Sequence, residues 1–368
     1  MAAASRERPE SLRVGVIGCG RAAIELHLPT LARAQEAEAV AIADPDRAAL
    51  EAAGERFGIA RRSADYRDLL ADGSVEAVCV AAPSHLHAEI GLAALEAGKH
   101  LMVEKPLALN LEDCDRLVGA AAASGVRAAV GYNLRLHPHV RRARDLIESG
   151  ALGRLSLLSS TFASPSLLRE VPPWRSDPGL GGGLLALQAV HHFDLWRHLL
   201  GQEVAEVRCA EGAPVGGSGR APGSVAVSAV TDGGAAIAGS FSAVTGQENG
   251  FAAYGAEAWL RASLYRFDSL ESLPRDATAG DVGRQAARPV RFLSELLRAL
   301  PRLRRGGDFQ TSYLAEWSDF ARAVRTGAPV SCTFEDAREA NRILSAVFES
   351  ARTGEAVAVA EAPRSAGG

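Results

Sequence analysis

The chain has 368 residues, 47% of them hydrophobic and 23% charged, with a formal net charge of −4. That length predicts two domains with sizeable cores, and slight acidity without a lysine-rich tail argues against nucleic acid as a partner. Five cysteines (Cys19, Cys79, Cys114, Cys209 and Cys332) are scattered with no CxxC pair, which indicates neither a disulfide framework nor a zinc site and points to a reducing compartment.

Residues 1–12 are polar and lack the apolar core of a signal segment. No apolar run is long enough to span a bilayer, so a cytoplasmic protein without membrane contact is expected. Residues 13–17 form a short β run, and residues 22–36 follow with helical character interrupted by Pro29. Residues 39–43 predict a second strand ending at Asp44, with a helix over 46–57. Strands over 75–80, 100–103 and 126–130 alternate with helices over 87–97 and 111–124. Apolar strands alternating with helices imply a parallel sheet covered on both faces.

The pattern changes after residue 131. A helix near 139–149 and a strand over 154–163 precede a Pro/Trp/Gly-rich stretch at 164–183, and a helix over 184–200 follows. Residues 204–265 are strand-like, with turns such as Asp232-Gly233-Gly234, and residues 313–326 and 335–352 read as two helices. The expected fold class is α/β: an N-terminal parallel-sheet domain followed by an α+β domain with an open, mainly antiparallel sheet. Residues 210–222 are expected to be a loop, and the tail after Val359 to be disordered.

Gly18-Cys19-Gly20-Arg21-Ala22-Ala23 follows the first strand directly and opens a helix. This is the pattern GxGxxG/A, in which the first glycine makes the turn and the second admits a pyrophosphate. The small Ala23 lets helix and strand pack closely, and the helix N-terminus offers free N–H groups. Asp44 lies at the end of the second strand, 24 residues beyond Gly20, where a carboxylate accepts from a ribose diol and repels a 2′-phosphate. The expected cofactor is therefore NAD. Arg47, able to reach a phosphate, leaves NADP open.

Of 40 basic residues only Lys99 and Lys105 are lysine. A lysine kept in an arginine-rich chain suggests a task that a permanently charged, bulky guanidinium cannot perform. Lys105 follows the apolar run 101–103 and precedes Pro106, at the carboxyl end of a strand, where ligands bind in open α/β sheets. The alternative is a solvated surface charge, the reading preferred for Lys99.

Together these residues resemble the Gfo/Idh/MocA family of sugar and polyol oxidoreductases. The likeness runs from about residue 12 to residue 358. It rests on Gly18-x-Gly20-x-x-Ala23, Ala82-Pro83-Ser84-His85-Leu86-His87, Glu104-Lys105-Pro106, Gly131-Tyr132-Asn133-x-Arg135-x-His137-Pro138, and Gly181-Gly182-Gly183 leading to His191 and Asp194. The resemblance implies a Rossmann NAD(P)-binding domain over residues 1–131. Residues 132–368 would bind substrate and oligomerise through the open sheet. It implies hydride transfer at a sugar carbon, with Lys105 contacting the substrate hydroxyl and nicotinamide ribose and His191 exchanging the hydroxyl proton. Gly18, Gly20, Arg21, Ala23, Asp44, Pro83, His87, Glu104 and Lys105 become the expected cofactor contacts. Tyr132, Asn133, Arg135, Trp174, Arg175 and His191 become the expected substrate contacts.

One position departs from the family pattern. An Asp, or in some branches Asn, commonly sits four residues before the histidine, and here that place is Leu187. On an α-helix Leu187, His191, Asp194 and His198 share a face, so an apolar wall replaces a polar partner of His191. The same face has metal-ligand spacing, but nothing else supplies a ligand set and no metal is expected. His87 could equally open a helix in an ordinary polar role, and Tyr132, Asn133, Arg135 and His137 could equally form an interdomain hinge. Trp174 and Arg175 suit a sugar face and its hydroxyls, or a loop anchor. Residues 284–305 carry seven arginines and one acid, Glu295, beside an apolar stripe, read as a solvated helix or as a rim for an anionic group. The expected activity is hydride transfer on a sugar, cyclitol or nucleotide-sugar. The rivals are a redox-neutral enzyme that retains its NAD and a non-catalytic nucleotide-binding protein.

Overall fold

A computed structural model describes residues 11–168, 172–213, 222–277 and 282–359, which form two compact units. The first unit holds the chain up to Ala108, then Glu112–Asn133 and Ser312–Glu335; the second holds Leu109–Leu111, Leu134–Thr311 and the chain from Asp336 on.

The first unit is built on β1 (Leu12–Ile17), β2 (Ala37–Ala43), β3 (Arg61–Ser63), β4 (Ala77–Val80), β5 (His100–Val103) and β6 (Ala128–Val130). All pair in parallel, in the order β3-β2-β1-β4-β5-β6. This is the doubly wound order whose ligand crevice opens beyond the carboxyl ends of the strands at the β1/β4 switch point. Ile17 pairs with Val80 and Val80 with Val103, so the residues that follow these three strands lie side by side at that edge. β4 is buried along its whole length, which explains its uniformly apolar sequence.

The helix expected over 22–36 is shorter. It makes a π turn over Ala23–His27, with Leu28 N–H donating to the Ala23 carbonyl, and ends after the α turn Leu28–Leu31. Pro29 brings no N–H to this stretch. The boundary expected at residue 131 also shifts to Asn133, and residues 312–335 return to the first unit. The reason is the helix Gly307–Thr326, whose Trp317, Phe320 and Ala321 join the core around β1 and β4. Burying two such aromatic side chains contributes on the order of 3–6 kcal/mol.

The second unit carries β7 (Leu155–Ala163), β8 (Val204–Glu211), β9 (Ser224–Thr231), β10 (Ala236–Ser242), β11 (Glu248–Gly255), β12 (Ala258–Ser263), β13 (Glu271–Pro274) and β14 (Val357–Ala358). Their order is β13-β12-β11-β7-β10-β9-β8-β14. β7 and β10 run parallel and the other neighbours antiparallel, the expected mainly antiparallel sheet. Its strands alternate buried and exposed, as half-buried strands must. The inner face meets the helix Val190–Leu200. There Phe193 and Trp196 pack on Phe241, and the Trp196 indole donates to Ser160 Oγ at 2.8 Å. The outer face exposes small side chains, among them Ala226, Ser228, Ala236, Ala238 and Ser240.

All five cysteines are buried and free. Among the described residues no helix is long and apolar enough to cross a membrane. Most of the loop expected over 210–222, and the tail after Val359, lie outside the described residues.

Candidate functional site

The carboxyl edge of the first sheet gathers the dinucleotide motif. Gly18 has φ +97°, and a Cβ there would lie 2.7 Å from the Ala81 carbonyl oxygen, so only glycine turns the chain so close to the end of β4. Gly20 is exposed, and a Cβ on it would meet nothing within 4 Å. One glycine is thus required by the protein itself. The other leaves open space beside a helix start that carries no side-chain cap. Ala23 is fully buried, while Arg21 is exposed and pairs with Glu25 at 2.7 Å.

Asp44 is half-buried; one carboxylate oxygen accepts from Cys19 N–H at 2.6 Å and the other from Asp46 N–H at 2.8 Å. A carboxylate has about four acceptor positions, so capacity remains for a ribose diol. Arg47 is exposed on the next helix. Burial, reinforced by Asp44, pushes the Cys19 thiol up to about 12, which leaves it inert. The open space at Gly20, the uncapped helix start and the anchored acceptor Asp44 fit a dinucleotide.

Beyond β5, Glu104 N–H donates to the Val80 carbonyl at 2.9 Å, and half-buried Lys105 follows with a cis bond to Pro106. Glu104, expected to touch cofactor, turns its buried carboxylate to the His27 ring, Oε1 to Nε2 at 2.9 Å. His87, also an expected cofactor contact, is buried with both ring nitrogens committed, Nδ1 at 2.8 Å from the Pro106 carbonyl and Nε2 at 3.0 Å from that of Ala82. Its ring clasps the Pro83 turn to the Lys105–Pro106 turn. A neutral imidazole donates through only one nitrogen, and burial lowers the affinity of this ring for a second proton. Lys99 departs from its surface reading: its ammonium donates to the Asp72 and Val75 carbonyls at 2.8 and 2.7 Å.

In the second unit, the chain enters the His191 helix through Gly181 and Gly183, both at positive φ, and a π turn over Leu185–Ala189. Gly182 is glycine for another reason, since a Cβ there would lie 2.2 Å from the Trp174 carbonyl oxygen. Trp174 and Arg175 thus pass directly over the helix start, both half-buried, with the guanidinium 5.4 Å from the indole centroid. His191 is half-buried, its ring 6.3 Å from that of Phe162 on β7. Gln188, unnoticed in the sequence, is buried and donates to Ser164 Oγ at 2.7 Å and to Ser166 Oγ.

The face expected to join Leu187, His191, Asp194 and His198 divides. Asp194 is fully buried and receives Arg135 Nε at 2.9 Å and Nη2 at 2.5 Å, while Arg135 Nη1 donates to Asp336 at 2.9 Å. All three guanidinium nitrogens of Arg135, expected as a substrate contact, bind side chains of this unit. Burial pushes the Asp194 carboxyl up against the pull of Arg135. His198 lies against Arg144 at 3.0 Å and is held at about 3 by burial and nearby arginines. Tyr132 and Asn133 are buried in the first unit, the Asn133 amide donating to Ser312 Oγ at 2.9 Å. This tether joins Asn133, expected as a substrate contact, to the helix Gly307–Thr326. His137 caps the helix Pro138–Glu148, accepting from His139 N–H, and burial lowers it to about 4. His192 is likewise buried against Asn249. Among the described residues no three His, Cys, Asp or Glu side chains gather as a metal site.

Residues 12–132 match a family described as an oxidoreductase family with an NAD-binding Rossmann fold, and residues 140–261 match the GFO/IDH/MocA C-terminal domain. The chain is 29% identical to an uncharacterized oxidoreductase of Bacillus subtilis (strain 168), YrbE, over 350 residues, 94% of this chain and 96% of that protein. It is 28% identical to myo-inositol 2-dehydrogenase of Thermotoga maritima over 335 residues, 89% and 93% of the two chains. Its fold matches levoglucosan dehydrogenase, solved with NADH and levoglucosan, with a TM-score of 0.80 and 25% identity, covering 96% of this chain and all of that one.

Proposed function

The chain belongs to the Gfo/Idh/MocA family of NAD-binding oxidoreductases, and on that premise we propose that it moves a hydride between nicotinamide and a secondary carbinol carbon of a sugar, cyclitol or nucleotide-sugar. The observation that carries this reading is the placement of Lys105. In a chain that writes arginine almost everywhere, a half-buried lysine follows β5 at the same sheet edge as the Gly18–Gly20 turn. Relatives named for myo-inositol and levoglucosan support a neutral polyhydroxylated ring as substrate.

Bound NAD supplies the hydride acceptor. Gly20 and the helix start receive the pyrophosphate, and Asp44 accepts from the ribose diol and disfavours a 2′-phosphate, hence NAD over NADP. The Lys105 ammonium stabilises charge on the substrate oxygen. His191 takes the hydroxyl proton in oxidation and returns it in reduction. Trp174 and Arg175 contact the ring and its hydroxyls. The small-residue outer face of the second sheet pairs with a second copy in a homo-oligomer, and the protein works in the cytoplasm.

Leu187 favours a second reading. With an apolar side chain where the family pattern has Asp or Asn, the enzyme would retain its NAD and use oxidation only transiently, with elimination or epimerisation as the net outcome. A screen of inositols, anhydrosugars, sugars and sugar nucleotides with NAD and NADP, followed by NADH absorbance, separates the two. Net NADH formation supports the dehydrogenase, turnover without net NADH supports the second reading, and binding without turnover defeats both.

A further inference from the structure

Beneath the Lys105 turn, the first unit buries a cluster that the proposed chemistry does not use. His27 leaves the phosphate-turn helix at the end of its π turn and is fully buried. Its Nε2 faces Glu104 Oε1 at 2.9 Å, and Tyr313 and Trp317 meet its ring edge-on at 5.9 and 5.8 Å. Glu104 Oε2 accepts from Lys105 N–H at 3.2 Å. Glu316, on the helix that carries Tyr313 and Trp317, is also buried; its Oε2 and the Trp317 indole nitrogen have no hydrogen-bond partner among the described residues.

The charges in this shell follow from its contacts. A buried carboxylate needs compensation. Glu104 has it on both oxygens, from an imidazole and a backbone N–H. Glu316 lacks it on Oε2, so its neutral form is the cheaper one. Burial, reinforced by Glu104 and Asp319, indeed pushes the Glu316 carboxyl up to about 8, with His27 opposing. Against the cost of burial, Cys79 and Glu104 pull the His27 ring upward, while its Nδ1 has no hydrogen-bond partner among the described residues. The cluster then joins His27 to Glu104 through one buried contact, beside a neutral Glu316 and a Tyr313 phenol kept protonated by burial and by Glu104.

We propose that His27 and Glu104 form a buried clasp that fixes the Lys105 turn relative to the Gly18–Gly20 turn, and that His27 is a positioning residue for Lys105. The strands alone do not do this. β1 and β5 are separated by β4, and His27 reaches across 77 positions of sequence to the residue beside Lys105. The clasp gives the helix that would carry the cofactor phosphates and the turn that presents the ammonium one shared, water-excluded contact. The inference rests on the assignment of Lys105 to the reacting oxygen, but its test does not need turnover.

The test uses the scarcity of lysine. An amine-acylating reagent such as acetic anhydride, applied in trace amounts to the full chain, reports Lys105 and Lys99 separately by peptide mass mapping. Lys99 serves as an internal control because its ammonium is held by two carbonyls of the same unit. In His27→Leu the Lys105 turn loses its clasp. Its labelling rate is expected to rise at least about threefold, and its pH profile to shift, while Lys99 keeps its rate. In His27→Gln an amide can still donate to Glu104, and the rate should return most of the way to wild type. Should His27→Leu not fold, His27→Met, which fills the same site without a donor for Glu104, replaces it with the same expected rise. Unchanged Lys105 labelling in a folded variant, or equal acceleration at both lysines, overturns the clasp. Failure to find any oxidised substrate would refute the dehydrogenase reading and leave this result standing.

Discussion

Replacing the two motif glycines one at a time separates folding from binding, because their surroundings differ. A Cβ on Gly18 would sit 2.7 Å from the Ala81 carbonyl oxygen and 2.8 Å from Ala82 nitrogen, at φ +97°. Those are backbone atoms of the β4 end and cannot swing aside. Gly18→Ala therefore combines overpacking, about 1–3 kcal/mol, with an unfavourable backbone conformation, about 1–3 kcal/mol. At roughly 2–4 °C per kcal/mol, the melting temperature of the first unit should fall by about 4–24 °C. A Cβ on Gly20 meets no atom within 4 Å, so Gly20→Val should melt within about 2 °C of wild type, in the range of ordinary surface substitutions. Its side chain fills the space a pyrophosphate needs, and NADH affinity should fall at least about tenfold, or 1.4 kcal/mol. Thermal melts by circular dichroism and NADH fluorescence titrations on both variants check the contrast. If Gly20→Val melts like Gly18→Ala, or binds NADH like wild type, the division of labour between the glycines is wrong.

Lys105→Arg should lose at least about 100-fold in turnover, nearly as much as Lys105→Ala, because a guanidinium is too bulky and too weak an acid to replace a small ammonium; retention of most activity would make the scarcity of lysine an accident of composition. Glu316, raised from 4.5 to about 8, keeps a proton that the unfolded chain releases between those values, so its contribution to stability is lost as pH rises through that window. At about 1.4 kcal/mol per pH unit this amounts to a few kcal/mol. Urea denaturation should show Glu316→Gln with a flatter decline than wild type from pH 5 to pH 8, and equal slopes would contradict the buried neutral carboxyl. Arg135→Met strands Asp194 and should destabilise the protein by about 3–5 kcal/mol while leaving KM for the substrate within about twofold in whatever folds; a large KM increase without destabilisation would restore Arg135 to the binding set.

The first sheet was legible because parallel strands buried on both faces leave apolar runs, and because Gly18, Gly20 and Asp44 fall at strand ends in that pattern. β3 was not, since three residues of Arg-Arg-Ser carry no periodicity. The return of residues 312–335 to the first unit was hidden for a different reason. An amphipathic helix with Trp317 and Phe320 looks the same whichever core it enters. Arg135 sits among polar residues that open the second unit, and nothing near it in sequence announces Asp194, 59 positions on. His27 was overlooked inside a helix read as the support of a phosphate turn. Its partner adjoins Lys105, and the rest of its shell comes from the far end of the chain. The π turns at Ala23–His27 and Leu185–Ala189 set where His27 and His191 emerge, and hydrophobic periodicity over so few residues does not reveal them.

The central claim is net hydride transfer from a ring carbon to NAD. Its most direct test is isotopic: a substrate found in the screen is prepared with deuterium on its carbinol carbon and incubated with the protein and NAD, and the cofactor is analysed by mass spectrometry. NADH is expected to carry the deuterium at nicotinamide C4, formed in proportion to ketone and abolished by Lys105→Arg. Deuterium that remains in the sugar, or that returns to it with no net NADH, would contradict the claim.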